Sequence, residues 1–392
     1  MNESINLNEL SLVDEHCHPF EKKAKRMTKE DLLNLVLIGG HHPKDGRALQ
    51  HAQESILYKV IIRELSKRLQ VAGDAKEILA ERNERAKDLK GYVKNLLDSI
   101  RTKGMIIDDG YSETQVEHAL PKTNLEDFRK LIDSSIYFVH RIEPIILYAY
   151  KNSKSFDGFL SRIHDDFEEV SKKPRFRGFK TITAYRTGLN LTWREEEEAK
   201  EDYQTHKSEQ GKKTWFGPLL RETREYIIRR VVEICAENGF VLQIHTGVGD
   251  KDIMLDTCNP RYLFKFLKRE ETRKAKITLV HGGYPYSSDA AWLTNAFSNV
   301  YMDLSVLVPF GVTSAVNKMK EVLSLAPASK VFYGSDGYSI PELQWIGGVL
   351  GKRSLAKALE EMMAEDLIDV DEAFHIARLI LSKNAERVYN LE

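Results

Sequence analysis

A short apolar run followed by an amphipathic helical stretch recurs about eight times along this chain of 392 residues. The apolar runs are Leu12–His16, Met105–Asp109, Ile136–Glu143, Phe176–Thr183, Val241–His245, Ile277–His281, Val300–Ser305 and Val331–Asp336. Strands that alternate with helices predict βα units and a parallel sheet, and eight such units close naturally into a barrel. The sequence therefore predicts an α/β fold of the (β/α)8 TIM-barrel type.

Polar residues end every one of these runs, in the segments HCH, DD, HRIE, KTITAYR, HT, HGG, DLS and SDG. In a (β/α)8 barrel the carboxyl ends of the strands form the face that carries active sites. An open doubly wound sheet would instead gather its ligand groups at one switch point. No GxGxxG segment follows the first run, which argues against a dinucleotide-binding fold. The distribution of polar residues over all eight runs favours the barrel.

Two stretches are too long to be simple connections between a strand and a helix. The first, at about residues 21–103, has helical periodicity, and we expect a helical insertion between strands 1 and 2 that caps the barrel mouth. The second, residues 190–217, is highly charged; a solvated helix or loop is the simpler interpretation, with a substrate lid as the alternative. Residues 354–392 are predicted to form terminal helices, so we expect one domain over residues 1–392.

The composition is globular and excludes several classes of function. Hydrophobic residues make up 42% and charged residues 30%, and the formal net charge of −1 gives no general attraction to nucleic acid or anionic lipid. No apolar run reaches the roughly 18–20 residues of a membrane span, and the N-terminal residues lack the pattern of a secretory signal. Three widely spaced cysteines, Cys17, Cys235 and Cys258, form no disulfide framework. We expect a cytoplasmic protein that acts on a small molecule, without nucleic-acid or membrane partners; a homo-oligomer stays open.

The pair His16 and His18 is the strongest local signal for chemistry. Alternate residues of a strand face the same side, so the two imidazoles form a chelating pair at the end of strand 1. An HxH pair alone is as readily structural. However, His245 and His281 end strands 5 and 6, and Asp336 ends strand 8, each where an apolar run meets a glycine-containing loop. Together these five residues predict a metal site on the active-site face.

With these residues in this order, the sequence resembles the amidohydrolase superfamily of metal-dependent barrel hydrolases, whose pattern is HxH on strand 1, His on strands 5 and 6 and Asp on strand 8. A closer resemblance links several segments to the amidohydrolase-type domain that precedes a glutamine-synthetase-like domain in FluG-type proteins. These segments are GMIIDDGYS, FVHRIEP, FRGFKTITAYRTGL, QIHTGVGDKDIMLDTCNPRYL, LVHGGYPYSSDAAWL, YMDLS and GSDGYSIPEL. The resemblance covers nearly the whole chain, so we expect a stand-alone version without the glutamine-synthetase-like domain.

The resemblance implies a role for each residue of the motif. His16, His18 and His245 would be nitrogen ligands of a divalent metal, with Zn²⁺ expected and Mn²⁺ or another transition metal as alternatives. Asp336 would be the carboxylate ligand or the neighbouring general base. His281 would bind a second metal ion or donate a hydrogen bond to a substrate oxyanion.

Lys180 in strand 4 bears on the number of metal ions. It matches the position of a lysine that is carbamylated and bridges two metal ions in many binuclear members of the superfamily. The alternatives are contact with a substrate carboxylate and a structural ion pair. The sequence is therefore compatible with either one or two metal ions at the site.

Five residues near the ends of strands 3, 4 and 6 are candidates for substrate binding: Arg141, Glu143, Tyr185, Arg186 and Tyr284. Arginine suits bidentate recognition of a carboxylate, so Arg141 with Arg186 would suit an acidic or amino-acid-like substrate. The alternative is that Arg141 and Glu143 pair with other residues at the top of the barrel. Weaker candidates are Asp108 or Asp109, of which alternation lets only one face the pocket, Asp303, Tyr286, and His41 and His42 in the insertion.

These expectations combine into one hypothesis for the reaction. A metal-bound hydroxide attacks an amide or other C–N bond, such as that of an N-acyl or γ-glutamyl compound, and Asp336 transfers the proton. The metal and His281 stabilise the oxyanion. The alternatives are a metal-dependent decarboxylase of a small carboxylic acid and a non-catalytic barrel that serves as a binding module.

Overall fold

Eight parallel strands form one sheet in the computed structural model, which describes residues 4–20, 26–37, 46–110, 125–208, 211, 213–214 and 217–391. The strands are β1 (Leu12–Cys17), β2 (Thr102–Asp108), β3 (Ser135–Arg141), β4 (Phe176–Thr181), β5 (Val241–His245), β6 (Lys276–Val280), β7 (Val300–Asp303) and β8 (Val331–Phe332). Each strand pairs in parallel with the next along the chain. This order confirms the predicted (β/α)8 barrel, with one strand at each predicted apolar run.

Individual backbone hydrogen bonds bring the last strand against the first. The amide of Glu15 donates to the carbonyl of Tyr333 over 3.0 Å, and the amide of Asp336 donates to the carbonyl of His16 over 2.9 Å. Donors therefore alternate between the two segments, as they do in a parallel pair. The contact closes the barrel and places Asp336 beside the HxH pair.

Helices cover the outside of the barrel, as expected for βα units. They are α1 (Lys29–Leu35), α2 (Gly46–Gln53), α3 (Ile56–Leu69), α4 (Ala75–Arg85), α5 (Leu89–Ser99), α6 (Leu125–Leu131), α7 (Ile142–Asn152), α8 (Phe156–Ser171), α9 (Glu196–Lys207), α10 (Arg221–Asn238), α11 (Phe264–Leu267), α12 (Ser287–Ala296), α13 (Leu307–Phe310), α14 (Ala315–Leu323), α15 (Pro341–Ala364), α16 (Val370–Arg378) and α17 (Asn384–Val388). Two short antiparallel strands, Lys213–Thr214 and Gly217–Pro218, precede α10. The charged stretch 190–217 thus contains a helix, and α15–α17 confirm the predicted terminal helices.

Helices α1–α5 lie between β1 and β2 and confirm the helical insertion. The hydroxyl of Tyr338, in the loop after β8, donates to the carbonyl of Leu35 at the end of α1 over 3.1 Å. Arg82 of α4 and Glu342 of α15 form a buried ion pair with Nε and Oε1 2.6 Å apart. The insertion therefore packs on the β8 side of the barrel, beside the loop that carries Asp336. His41 and His42 lie outside the described residues.

The barrel interior has its own small hydrophobic cluster, separate from the larger core between the strands and the helices. It consists of Val13, Ile106, Tyr137, Val139, Val241 and Phe332, together with Ala385, Val388 and Tyr389 from the end of the chain. Because β1 and β8 contact α17, the last helix closes the end of the barrel opposite the predicted site. The three cysteines are buried free thiols. Among the described helices, none has the length and apolar character needed to cross a membrane.

Candidate metal centre at the barrel mouth

The carboxylate of Asp336 and the two imidazoles of the HxH pair meet at the carboxyl end of the barrel. Oδ1 of Asp336 lies 3.1 Å from Nε2 of His18 and 3.5 Å from Nε2 of His16. His16 is buried, whereas the Asp336 side chain keeps 18% of its surface exposed. The aspartate is therefore the member of this group that solvent reaches most easily.

His281 and His245 continue the cluster on the side of β5 and β6. Nε2 of His281 lies 2.9 Å from Nδ1 of His245, and Nδ1 of His281 lies 3.9 Å from Oδ2 of Asp336. Two groups of potential ligands have all their donor atoms within 4.8 Å of one another: His16, His18 and Asp108, and His16, His281 and Asp336. His245 belongs to neither group and contacts the cluster through His281.

Gln243 on β5 determines which nitrogen of His16 carries the hydrogen. The amide nitrogen of Gln243 lies 3.1 Å from the carbonyl oxygen of Glu15, which can only accept, and 3.0 Å from the Tyr389 hydroxyl. The amide oxygen of Gln243 must then face Nδ1 of His16, 2.9 Å away, and Nδ1 donates. Burial lowers the pKa of His16 well below its ordinary value, so the ring is neutral and its Nε2 presents a lone pair to the site.

A second chain of hydrogen bonds fixes His281 and His245. The single hydroxyl hydrogen of Ser305 goes to Asp303 over 2.6 Å, so the Ser305 oxygen accepts from Nδ1 of His281 over 2.8 Å. Burial raises the pKa of Asp303 to about 6, which leaves it ionised at pH 7. Burial also lowers the pKa values of both histidines well below the ordinary range. Neutral His281 therefore accepts from Nδ1 of His245, and Nε2 of His245 is left with a lone pair.

His281 and Asp336 both adopt the left-handed backbone conformation, with φ of 71° and 48°. For residues other than glycine this conformation costs on the order of 1–3 kcal/mol and persists only where the surroundings enforce it. Here the carboxylate of Asp303 accepts the amide hydrogen of His281, and the carbonyl of His16 accepts that of Asp336. The strand ends thus hold two of the predicted site residues in strained positions.

Lys180 on β4 points into the same cluster. Its Nζ lies 3.3 Å from Nε2 of His16, and the side chain is fully buried. Burial lowers the pKa of Lys180 to about 8. No carboxylate oxygen of the described residues lies within 4.0 Å of this nitrogen, which disfavours the structural ion pair among the three roles considered for it.

Arg141 lies at the end of β3 and is held by a carboxylate at the end of β2. Its Nε lies 3.1 Å from both oxygens of Asp108, and both side chains are buried. The neighbouring Asp109 instead accepts from Nδ1 of His140 over 2.8 Å, so Asp108 is the one of the two that faces the site. Arg141 thus takes the alternative role, pairing with another residue at the top of the barrel.

Glu143 lies in the first turn of α7, not on β3, and is buried. One carboxylate oxygen, Oε1, accepts from the hydroxyl of Thr181 over 2.6 Å and from the amide of Ile182 over 2.9 Å. Arg186 follows the turn after β4, and its Nη1 lies 3.4 Å from Asp252. Both residues therefore lie at the β3–β4 side of the mouth, with partners on the adjacent loops.

Tyr185 packs against the metal cluster, whereas Tyr284 does not. The ring of Tyr185 lies edge-on to that of His245 with centroids 4.6 Å apart, and its hydroxyl accepts the amide hydrogen of Asp250 over 3.0 Å. A Cβ on Gly249 would lie 1.8 Å from this hydroxyl, so the loop after β5 can approach only because it carries glycine there. Tyr284 is half-buried in the loop after β6, and no described residue links its hydroxyl to the cluster by a hydrogen bond.

Three residues that matter to this arrangement were not predicted from the sequence. Gln243 lies two positions before His245 on an inward-facing row, and the alternation rule alone could have identified it. Ser305 follows the predicted Asp303 within the segment DLS, so its proximity to His281 depended on strand order. Arg224 is buried on helix α10, where no strand-end signal could have marked it.

The chemistry of the donor atoms fits a divalent transition-metal ion. The lone pairs of His16 Nε2 and His245 Nε2 both belong to neutral buried imidazoles, and no described residue hydrogen-bonds to Nε2 of His245. Imidazole nitrogens together with a carboxylate are ligands that Zn²⁺, Mn²⁺ and related ions accept. His18 and Asp336 lie next to His16 and supply a second imidazole and the carboxylate, whereas His245 lies outside the two groups of mutually close donor atoms.

Comparison of the sequence with known proteins gives two matches. A family model described as amidohydrolase matches residues 156–391, a region that contains the residues of β5, β6 and β8 but not the HxH pair. Protein fluG of Emericella nidulans is 25% identical over 226 residues, which are 56% of this chain and 26% of that protein. The chain thus spans about a quarter of the length of this curated relative.

Solved structures share the fold over nearly the whole chain. A protein of Lactobacillus casei ATCC 334, described as a candidate metal-dependent hydrolase, superposes with a TM-score of 0.85 at 22% identity and covers 99% of this chain and 98% of its own. The uronate isomerase of Thermotoga maritima gives a TM-score of 0.67 at 16% identity, with 97% and 95% covered. At such identities the likeness establishes a common architecture and leaves the reaction open.

Proposed function

We propose a function from the premise that this chain belongs to the amidohydrolase family. Membership supports a metal-dependent enzyme, and we propose specifically a hydrolase that cleaves an amide or other C–N bond of a small, acidic or amino-acid-like substrate. The observation that carries the proposal is the convergence of the carboxylate of Asp336 on Nε2 of both His16 and His18, at the end of the barrel where such enzymes act.

The metal, proposed to be Zn²⁺, would be held by His16, His18, His245 and Asp336. When bound, such an ion lowers the pKa of a coordinated water molecule and polarises the bond under attack. Lys180 lies next to Nε2 of His16, where it would either bridge a second ion as a carbamate or contact a carboxylate of the substrate. Its buried amine suits either role, so both one and two ions remain within the proposal.

Asp336 is proposed to move the proton. Its carboxylate lies beside both imidazoles of the HxH pair and is the most exposed group of the cluster. A proton taken there from the attacking water can be delivered to the leaving nitrogen on the same face, because one carboxylate can serve as base and then as acid.

His281 is proposed to act through His245 rather than on the oxyanion, because its one ring hydrogen lies on Nδ1 and is donated to Ser305. In the hydrogen-bond chain from Asp303, its Nε2 accepts from His245, which supports a role in orienting that ligand. Tyr185 stands against the His245 ring and accepts a backbone amide hydrogen, so its own hydroxyl hydrogen can be donated to a substrate oxygen. Tyr185 is therefore the proposed hydrogen-bond donor to the negative charge that develops on a carbonyl oxygen during hydrolysis.

The first experiment is product analysis on the Zn²⁺-reconstituted protein with a panel of N-acyl amino acids, amino-acid amides and γ-glutamyl amides. We expect release of an amine and an acid, lost by at least about 100-fold in Asp336→Asn and retained in His375→Ala, which changes an exposed histidine on α16. Release of CO₂ from small carboxylic acids would instead establish the decarboxylase. Sugar-acid isomerisation without bond cleavage would also overturn the hydrolase.

The cytoplasmic location, the small-molecule substrate and the absence of nucleic-acid and membrane partners stay predictions from the sequence, and a homo-oligomer stays open. These predictions guide which compounds are included in the substrate panel, but the identity of the products is interpreted in the same way without them.

A further inference from the structure

Arg224, in the first turn of α10, is a buried cation without a directly bound anion. Its side chain is only 3% exposed. Its Nε donates to the carbonyl of Leu219 over 3.0 Å, whereas its Nη1 has no hydrogen-bond partner among the described residues. No carboxylate oxygen of the described chain lies within 4.0 Å of the guanidinium. An unpaired buried charge is costly, which makes a ligand the natural partner for this nitrogen.

Glu143 is a buried anion with an unpartnered acceptor oxygen, and so it complements Arg224. It is 2% exposed, and its Oε1 is fully engaged by Thr181 and Ile182. Its other oxygen, Oε2, is buried and accepts no hydrogen bond from the described residues. No lysine or arginine nitrogen among the described residues lies within 4.0 Å of the carboxylate. One oxygen is thus fixed by the fold while the other is left for a donor.

The two groups lie at the same end of the barrel without touching. Glu143 is bound to residues at the end of β4, and helix α10, which carries Arg224 in its first turn, packs on β4 and β5. Burial lowers the pKa of Arg224 to about 10, and the charge of Glu143 is the strongest influence opposing that shift. Arg186 lies close enough to add a second positive charge that disfavours the protonated guanidinium further. Opposite charges in a structural ion pair would be in contact, since contact repays part of their desolvation. Here they remain apart, each with an unused hydrogen-bonding atom.

We propose that Arg224 and Glu143 form a binding site for the head group of an α-amino acid, with Nη1 of Arg224 donating to the α-carboxylate and Oε2 of Glu143 accepting from the α-ammonium. The inference rests on the proposed function in one respect, because it names the part of the substrate that lies away from the scissile bond. Arg141 already contacts Asp108, so the proposal places the α-carboxylate at Arg224.

The proposed head-group site lies near the metal cluster, so one substrate could bind at both. Glu143 lies two residues after Arg141, the last residue of β3. Arg141 contacts Asp108, and Asp108 belongs to a group of potential metal ligands with His16 and His18. The head-group site and the metal cluster are therefore neighbours on the same face of the barrel. A substrate anchored at Arg224 would extend its side chain or its acyl group toward Asp336.

Binding tests the proposal without requiring turnover. The full-length, Zn²⁺-reconstituted protein would be screened by thermal shift against each of the twenty common L-α-amino acids at millimolar concentration. The tightest binder would then be compared by calorimetry with its decarboxylated amine and its deaminated acid. A lost hydrogen bond to a charged group weakens binding by about 10- to 100-fold, so we expect that loss for each analogue.

Two variants assign the contacts. Arg224→Met should bind the amino acid no better than its decarboxylated amine, and Glu143→Gln should bind it no better than its deaminated acid. Arg221→Met is the matched control on the same helix, because Arg221 is paired with Glu225 and is partly exposed; it should leave all three dissociation constants unchanged. The ligand comparison on the wild-type protein decides the question even if a variant fails to fold.

The outcomes separate this inference from the proposed function. Failure of every amino acid to bind, or equal binding of the amino acid and both analogues, overturns the head-group site. Hydrolysis of amides that lack an amino-acid head group, at rates equal to those with one, also overturns it while leaving the hydrolase intact. Discriminating amino-acid binding with no hydrolysis of any amide supports the site and contradicts the proposed function.

Discussion

The side-chain oxygen of Gln243 lies 2.9 Å from Nδ1 of His16 and holds that imidazole in a single tautomer. Gln243 is itself fixed, because its amide nitrogen donates to the carbonyl of Glu15 and to the hydroxyl of Tyr389. The consequence is that His16 directs a lone pair toward Asp336 and Lys180. A residue near the end of the chain, Tyr389, therefore helps to orient a candidate metal ligand near its beginning.

Removal of the Gln243 acceptor should weaken metal binding without unfolding the protein. Partners that orient a metal-binding histidine typically contribute about 10- to 100-fold in affinity, and we expect that loss of Zn²⁺ affinity in Gln243→Met, measured by chelator competition. Thr278→Val is the control, because Thr278 meets the same Tyr389 hydroxyl at 3.3 Å without contacting His16. Equal affinity of both variants and the wild type would contradict the role assigned to Gln243.

The tautomers themselves are observable in the metal-free protein. Long-range proton–nitrogen NMR spectra should show His16, His245 and His281 as neutral rings with hydrogen on Nδ1 and none on Nε2, since each Nδ1 has an acceptor and burial lowers each pKa. The exposed His375 provides the reference signal of a surface histidine. Hydrogen on Nε2 of His245 at pH 7 would contradict the chain that begins at Asp303.

His140 should make the stability of the fold depend on pH. Burial disfavours its charged form, but Asp109 and Asp166 outweigh burial and raise its pKa from 6.5 to about 10. The stabilisation is complete below pH 6.5 and is lost as the pH rises toward 10, because the unfolded chain releases the proton first. In His140→Gln, the fall in free energy of unfolding between pH 6.5 and 10 should be smaller by on the order of 2 kcal/mol.

Chemical denaturation at several pH values measures this difference, and His375→Gln provides a surface histidine for comparison. A variant whose free energy of unfolding falls as steeply with pH as that of the wild type would show that His140 is not held charged by its two aspartates.

The ion pair between Arg82 and Glu342 should contribute strongly to the attachment of the insertion. Both side chains are almost fully buried, and Glu342 also accepts from the hydroxyl of Tyr92 over 2.9 Å. Arg82→Met leaves a buried carboxylate and should cost about 3–5 kcal/mol of unfolding free energy. The double variant Arg82→Met with Glu342→Gln should recover part of that cost. If Arg82→Met lowers the free energy of unfolding by less than about 1 kcal/mol, the ion pair behaves as a solvent-exposed one and the prediction is wrong.

Much of the architecture was predictable because strand ends are marked by a change from apolar to polar residues. This pattern identified all eight strands and placed His16, His281 and Asp336 on one face of the barrel. It could not predict that Arg141 would be held by Asp108, since that pairing depends on the register between β2 and β3. It also could not find Arg224, because a buried arginine on an outer helix has the same local sequence as an exposed one.

The contacts of His245 also could not be predicted from the pattern of strand ends. Its position at the end of β5 was predicted, but its contact with His281 in place of His16 depends on side-chain rotation, which the sequence does not encode locally. Gln243 lay within reach of prediction, because it shares the inward row of β5 with His245.

Metal content after reconstitution and dialysis tests the central claim most directly. Elemental analysis of the wild-type protein should find about one or two divalent ions per chain, most of which are lost in His16→Ala and in Asp336→Ala but retained in His375→Ala. Two ions falling to one in Lys180→Ala would establish the bridging role of that lysine. A folded wild-type protein that retains no divalent ion under any reconstitution condition would contradict a metal-dependent function for this chain.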